Sequence, residues 1–305
     1  MSSSKLNNTT ASPTQYYSWE NCLCAYEIHQ PTSSTPTGIP LLLIHPIGVG
    51  LSRQFWRRFC QEWYDKNHQN PIYNPDLLGC GESDMPVLAH TPINWAKQLQ
   101  YFLQTVVKKP AIIIVQGALS TVAIELVKLE KELIAGIVFS DPTSRPVITK
   151  NAPKWQQKLL WRIFKSPIGN LFFRYARTRR FLYSFSSEKL FSLSKNVDDE
   201  WLNTLMADAK NMNSRYAVFA FLARFWQRDY TNDIAAITHP TLLVIGEKSL
   251  GISKESKKEL PDERLEFYLS CLPQSQSVKM IGKNVMPYEY SQEFVGAISP
   301  FITSI

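Results

Sequence analysis

Short apolar runs alternate with helix-like segments along most of this 305-residue chain, and this alternation limits the possible folds more than any other feature. The apolar runs have the length of strands, and in most cases a segment with apolar residues at helical spacing follows. The predicted strands cover residues 22–29, 41–44, 72–74, 111–115, 134–140, 241–245 and 278–281. Strands joined by helices pair in parallel, so the sequence predicts an α/β fold with a mainly parallel sheet flanked by helices.

The alternation is interrupted once, after Asp141. Residues 143–236 show helical patterns only, so we interpret them as a helical insertion into a core formed by residues 17–142 and 237–305. Residues 1–16 are rich in Ser, Thr and Asn and lack the apolar segment of a secretory signal. This start predicts a flexible polar tail and a cytoplasmic protein.

Composition argues against several classes of protein. The apolar runs fall far short of the roughly 20 residues that cross a bilayer, so no transmembrane helix is expected. The five cysteines are sparse and odd in number, which argues against a disulfide framework and for a reducing compartment. The five histidines are scattered without the spacing of metal ligands. We therefore predict no metal and no cofactor.

The net charge of +7 comes from one segment of the chain. Residues 142–187 contain no Asp or Glu but ten basic residues interleaved with aromatic ones, and outside this segment the acidic residues outnumber the basic ones. Such a segment suits an anionic membrane surface or the exposed face of a membrane protein complex. The alternative is the solvated basic face of a packed helical insertion. Nucleic acid is not favoured as a partner because no recognition motif is visible.

A docking surface on this segment would place the protein at the cytoplasmic face of a membrane. On a helical wheel the apolar residues share one half of the first helix of the segment, and Trp161 lies among the cations of the other half. The apolar half consists of Leu159, Leu160, Ile163 and Phe164. The predicted docking residues are Lys158, Trp161, Arg162, Lys165, Arg174, Arg177, Arg179 and Arg180.

Five motifs, in this order along the chain, resemble those of the α/β-hydrolase family. They are residues 41–48 (LLLIHPIG), 75–84 (PDLLGCGESD), 115–120 (VQGALS), 240–249 (PTLLVIGEKS) and 284–289 (NVMPYE). The chain looks similar to cap-bearing members from bacteria and plastids. The resemblance implies an eight-stranded sheet, and it places the helical insertion where the family carries its cap over the active site.

The resemblance also implies where a catalytic triad would stand, and none of the three positions holds a residue suited to its role. In the family's nucleophile pattern G-x-S-x-G, Ala118 takes the position of the serine, and a methyl group has no lone pair with which to attack a carbonyl. Ser249 stands at the position of the acid, and Val285 at that of the histidine base. These substitutions predict a pseudoenzyme.

We expect such a protein to bind either a hydrophobic small molecule beneath the cap or a membrane-associated protein partner. Residues 45–48 correspond to the family's oxyanion loop. The ligand pocket implied by the resemblance consists of His45, Pro46, Ile47, Gln116, Gly117, Ala118, Leu119, Val285 and Met286. The alternative is an active hydrolase on an ester or lipid-like substrate with displaced catalytic residues. The candidates for that role are Ser120, Cys80, Asp141 and Glu247.

Overall fold

The computed structural model describes residues 9–11, 13–32, 35–253 and 255–305, and its strands form one sheet. The strands are β1 (Thr9–Ala11), β2 (Gln15–Trp19), β3 (Cys22–Pro31), β4 (Leu41–Ile44), β5 (Ile72–Pro75), β6 (Ala111–Gln116), β7 (Ile134–Ser140), β8 (Thr241–Gly246) and β9 (Gln276–Met280). Their order across the sheet is β1-β3-β5-β4-β6-β7-β8-β9, and β2 also pairs with β3. The pairs from β5 across to β9 are parallel, whereas β3 pairs antiparallel with its neighbours.

β1 and β2 together make one interrupted edge strand. Ala11 pairs with His29 and Gln15 with Tyr26, while β5 pairs with the same two residues from the other side. β1 and β2 therefore follow the same edge of β3. Counted in this way the sheet has eight strands and is mostly parallel, which confirms the predicted fold class.

The predicted tail differs from the structure in its second half. Residues 1–8 lie outside the described residues, but Thr9–Ala11 and Gln15–Trp19 are strands. β2 forms here because Tyr17 and Trp19 alternate with exposed residues and bury their rings in the core. Because the first residues are mostly polar, the short alternation of buried and exposed side chains in β2 is difficult to recognise from the sequence.

Helices cover both faces of the sheet and fill the segment between β7 and β8. They are α1 (Arg57–Asp65), α2 (Pro92–Phe102), α3 (Ser120–Leu129), α4 (Arg145–Ile148), α5 (Lys154–Lys165), α6 (Pro167–Ala176), α7 (Arg179–Phe185), α8 (Asp199–Asp208), α9 (Arg215–Leu222), α10 (Thr231–Ala235), α11 (Pro261–Cys271), α12 (Met286–Glu289) and α13 (Ser291–Ser304). The seven from α4 to α10 lie within the predicted insertion at residues 143–236. Along the described ranges, no helix is long and apolar enough to cross a bilayer.

The core lies in two layers, one on each side of the sheet. Successive side chains of a strand point to opposite faces, and β6 is buried on both. Ile113 and Val115 belong to the cluster that includes α2, α3 and α11, whereas Ile112 and Ile114 belong to the one that includes α1 and α13. A strand buried in this way reads as a continuous apolar run, which is why the central strands are visible in the sequence.

Candidate functional site

The carboxyl ends of the central strands lie side by side at one edge of the sheet. Gln116, the last residue of β6, pairs with Ser140 of β7, which pairs in turn with Val244 of β8. In sheets of this kind, ligands bind among the loops that leave these ends. The predicted triad positions lie in the loops after β6, β8 and β9, so the topology brings together residues that are far apart in sequence.

The sharp turn between β6 and α3 has its unusual backbone at Gly117, one residue before the predicted nucleophile position. Gly117 has a φ of +67°, and Gly117–Leu119 form a single helical turn that leads into α3. A nucleophile of this kind occupies the strained residue of such a strand-to-helix turn, and glycine adopts a positive φ without steric cost. Gly117 therefore occupies the strained position of the turn, and Ala118, the nucleophile position predicted from the motif, follows it inside the helical turn.

The space in front of the turn is open. A Cβ placed on Gly117 would meet no heavy atom within 4 Å outside its own chain neighbours. Gly117 itself offers no side-chain atom that could attack a substrate. A glycine directly after a buried strand is the sequence signal that identifies this position.

The position expected for the acid is linked to a buried ion pair. The Ser249 hydroxyl donates to Asp141 Oδ1 over 2.5 Å, and Arg264 Nη1 donates to the same carboxylate oxygen over 2.9 Å. Arg264 also donates through Nε to Glu259 over 2.9 Å. Burial lowers the pKa of Arg264, but Asp141 and Glu259 outweigh that effect, so its pKa is raised and the guanidinium stays charged. The Asp141 carboxylate is thus paired with a cation instead of orienting an imidazole.

The position expected for the base holds Val285, whose side chain is apolar. Val285 is almost fully buried in the same core cluster as Met286. Its isopropyl group can neither accept nor donate a proton. The preceding residue, Asn284, donates its side-chain amide to the carbonyl oxygens of Lys189 and Leu250 over 2.8 and 3.0 Å, so this amide serves to fix the loop.

A hydrogen-bond network ties these loops to one another. Gln116 Nε2 donates to the Asn284 carbonyl oxygen over 2.9 Å, and its Oε1 accepts from the Ser140 hydroxyl over 2.7 Å. Ser249 Oγ also lies 3.0 Å from Asn284 Oδ1. These hydrogen bonds link the loops that follow β6, β8 and β9 to one another.

Sequence comparison now decides the family. The model of the alpha/beta hydrolase family matches residues 41–295, which is most of the chain. The chain belongs to the α/β hydrolase family. No curated protein sequence matches it significantly.

Solved structures of α/β hydrolases are similar over nearly the whole chain. A thermophilic esterase from Thermogutta terrifontis is 18% identical with a TM-score of 0.71, and the match covers 96% of this chain and 99% of that one. A bromoperoxidase from Bacillus anthracis is 16% identical with a TM-score of 0.69, covering 92% and 96%. A haloalkane dehalogenase from Agrobacterium tumefaciens C58 is 12% identical with a TM-score of 0.70, covering 97% and 98%. At these identities the likeness is one of fold.

Three of the four displaced catalytic candidates are buried. Ser120 is buried, and its Oγ lies 3.0 Å from the Thr143 hydroxyl. Cys80 is buried as well, and burial raises the pKa of its thiol, which disfavours the nucleophilic thiolate. Asp141 belongs to the ion pair with Arg264, and Glu247 is exposed at the end of β8.

The histidine of the expected oxyanion loop has a structural role. His45 is fully buried, its Nε2 accepts from the backbone N–H of Leu77 over 3.1 Å, and its Nδ1 lies 2.8 Å from the Pro46 carbonyl oxygen. Burial lowers the pKa of His45, so the ring stays neutral. His45 thereby fastens the loop after β4 to the loop after β5.

The residues of the predicted ligand pocket are mostly buried. Ile47, Gly117 and Ala118 retain partial exposure. The buried members are His45, Pro46, Gln116, Leu119, Val285 and Met286. Two surface cavities lie elsewhere, one of about 500 Å³ beside Arg179 and Leu202 and one of about 1020 Å³ whose lining includes residues of α4 and α11. In the part of the chain that the structure describes, no group of three or more His, Cys, Asp or Glu side chains could hold a metal ion.

The predicted docking residues do not all face outward. Lys158, Arg162, Lys165, Arg174 and Arg180 are exposed. Arg177 is half-buried and donates to two backbone carbonyls, and Arg179 forms an ion pair with Asp199. Trp161 is half-buried: its ring packs against Tyr216 and Phe225 with centroids 6.1 and 5.8 Å apart, and Lys165 Nζ lies 5.8 Å from its centroid. The wheel also divides α5 incorrectly, because Leu159 and Ile163 point outward.

Proposed function

We infer that this chain is a non-catalytic member of the α/β hydrolase family that acts by binding. The observation that carries this proposal is the glycine at the strained residue of the turn after β6. Without a side chain at that residue, no covalent intermediate can form at the position that the family uses.

The acid and base positions support the same proposal. Restoring a nucleophile at Gly117 would not by itself restore a triad, because Val285 cannot take its proton and the candidate carboxylate, Asp141, is bound by Arg264. A complete triad contributes several orders of magnitude in rate. We therefore expect ester hydrolysis close to the rate of the uncatalysed reaction.

The retained space in front of Gly117 supports a binding role at this edge of the sheet. Ile47, Gly117 and Ala118 are the partly exposed members of the predicted pocket, and they present no ionised side chain. A hydrophobic small molecule is the ligand that such a surface would favour. Native mass spectrometry of the purified chain tests for such a molecule directly.

A turnover assay tests the absence of catalysis. Purified protein is incubated with p-nitrophenyl acetate, with p-nitrophenyl butyrate and with a lipid ester, and its rates are compared with those of the Ser120→Ala and Cys80→Ala variants. We expect all three proteins to match the background rate. A wild-type rate that survives further purification and disappears in either variant would show that a displaced nucleophile operates.

A further inference from the structure

Two neighbouring helices of the insertion present large apolar side chains to the surface. On α5, Trp155 and Leu159 are 65% and 48% exposed, and Ile163 continues the same row one turn later. On α6, Ile168 and Leu171 are 70% and 71% exposed. We define the α5–α6 face as these residues together with Phe172 and Tyr175, which are exposed on α6.

The inner faces of both helices are already packed, so the exposed side chains are not part of an incomplete core. Phe164 stacks on Phe219 with centroids 4.7 Å apart, and Phe173 is fully buried against the same ring. A Cβ on Gly169 would lie 1.9 Å from the Phe164 carbonyl oxygen, so the two helices are in backbone contact. Each helix therefore has a second apolar face, which soluble surfaces seldom carry at this size.

The charged side chains of α5 and α6 have one sign. Lys158, Arg162 and Lys165 are exposed on α5, and Arg174 is exposed on α6. Residues 142–187 contain no acidic residue, so both helices and the loops that flank them lack negative side chains. The partner that matches this surface is apolar at its centre and anionic around it.

A bilayer with anionic lipids combines these two properties on one surface. Trp, Leu and Ile side chains enter the boundary between head groups and acyl chains, while Lys and Arg remain among the phosphates. The helices α5 and α6 are too short to cross a bilayer and can only lie along its surface. A protein interface would also accept apolar side chains, but charged residues are depleted at the centre of such interfaces.

We propose that the α5–α6 face docks the protein on the surface of a membrane that contains anionic lipids. The apolar row enters the interfacial layer, and the four exposed cations bind lipid phosphates. This inference goes beyond the proposed absence of catalysis and does not depend on it, because no residue of the α5–α6 face belongs to the site around Gly117.

Vesicle flotation with the full chain tests this proposal. The vesicles consist of phosphatidylcholine alone or with about one third phosphatidylglycerol and contain no protein. We expect binding to the anionic vesicles, at least about ten-fold weaker binding to the neutral ones, and release as salt shortens the range of the attraction. Equal binding to both kinds of vesicle, or binding to neither, would overturn the proposal.

Two double variants and their matched controls locate the surface. The Lys158→Glu, Arg162→Glu variant and the Ile168→Ser, Leu171→Ser variant should each weaken binding about ten-fold or more. The controls are Lys97→Glu with Lys109→Glu and Leu23→Ser with Val87→Ser, which change exposed residues outside the insertion. Equal losses in variants and controls would contradict the assignment. Circular dichroism confirms that each variant is folded.

Quenching of tryptophan fluorescence by brominated lipid gives a second readout. Trp155 is exposed on the α5–α6 face, so bound vesicles should quench its emission, and the Trp155→Phe variant should lose most of this quenching. Quenching that is unchanged in that variant would contradict the proposal. Binding to native membranes but not to protein-free vesicles would instead identify a membrane protein as the partner. The esterase assay is run on the same preparations, so either proposal can fail alone.

Discussion

Gly117 combines a φ of +67° with free space at the place where a Cβ would stand. We predict that Gly117→Ala lowers the free energy of unfolding by about 1 kcal/mol. An L-residue is less stable than glycine in a left-handed backbone conformation, even where its Cβ has no steric clash. Ala118→Ser, one residue later inside the helical turn, should change stability by less than about 0.5 kcal/mol. Urea unfolding measures both. Equal effects would show that the strain does not lie at Gly117.

The buried ion pair makes a second prediction for single residues. Arg264→Met leaves Asp141 and Glu259 buried without their cation, so it should cost about 3 kcal/mol. Lys279→Met, which breaks an exposed ion pair with Asp262, should cost less than about 1 kcal/mol. Adding Asp141→Asn to Arg264→Met should recover part of the loss. Similar unfolding midpoints for the two single variants would contradict this account.

The strained turn after β6 could be predicted from sequence to within one residue. The motif identifies the correct turn, but Gly117 and Ala118 are both small, and only the backbone angle distinguishes the strained residue from its neighbour. The sequence predicts Ser249 at the acid position because it follows a buried strand. Its hydrogen bond to Asp141 becomes visible only when the sheet places the ends of β7 and β8 side by side. The role of Arg264 could not be predicted, because it lies on α11, more than a hundred residues from Asp141 in sequence.

Among the helices, α2 is one whose first residues can be predicted from local sequence signals alone. The sequence predicts its start at Thr91 with Pro92 in the first turn, and in the structure the Thr91 hydroxyl accepts from the Asn94 N–H over 3.3 Å. For α5, local sequence signals do not predict which face of the helix is buried. With Trp155 and Trp161 included, the apolar residues extend beyond one half of this helix, so periodicity cannot tell which face packs against Phe219 and which faces outward.

The start of α2 also gives a pH-dependent prediction. His90 stacks on Trp95, and burial lowers its pKa to about 4. In the unfolded chain the same group takes up a proton near pH 6.5, so the unfolded state binds more protons between pH 6.5 and 4 and stability falls as the pH is lowered. The full contribution, lost once the pH is below about 4, is about 3 kcal/mol. His90→Phe keeps the stacking and should show a correspondingly smaller fall; parallel curves for both proteins would contradict this.

Across the whole molecule, the alternation of strands and helices predicts the sheet, because local pattern and parallel pairing agree in the buried strands. The short edge strand β2 buries only two side chains, those of Tyr17 and Trp19, and is correspondingly hard to see in the sequence. Residues 142–187 determine the sign of the net charge. Without them the chain has more acidic than basic residues, and with them its net charge is positive. The proposed docking on an anionic membrane depends on this segment.

Covalent labelling with a fluorophosphonate, read by intact mass and peptide mapping, tests the central claim most directly. The wild-type chain should remain unlabelled, whereas a variant with Gly117→Ser, Ser249→Asp and Val285→His should gain one adduct at position 117. The matched variant, with Ala118→Ser in place of Gly117→Ser, should remain unlabelled because its hydroxyl lies inside the helical turn. An adduct on the wild-type chain, or on the Ala118→Ser variant in preference to the Gly117→Ser variant, would contradict the account.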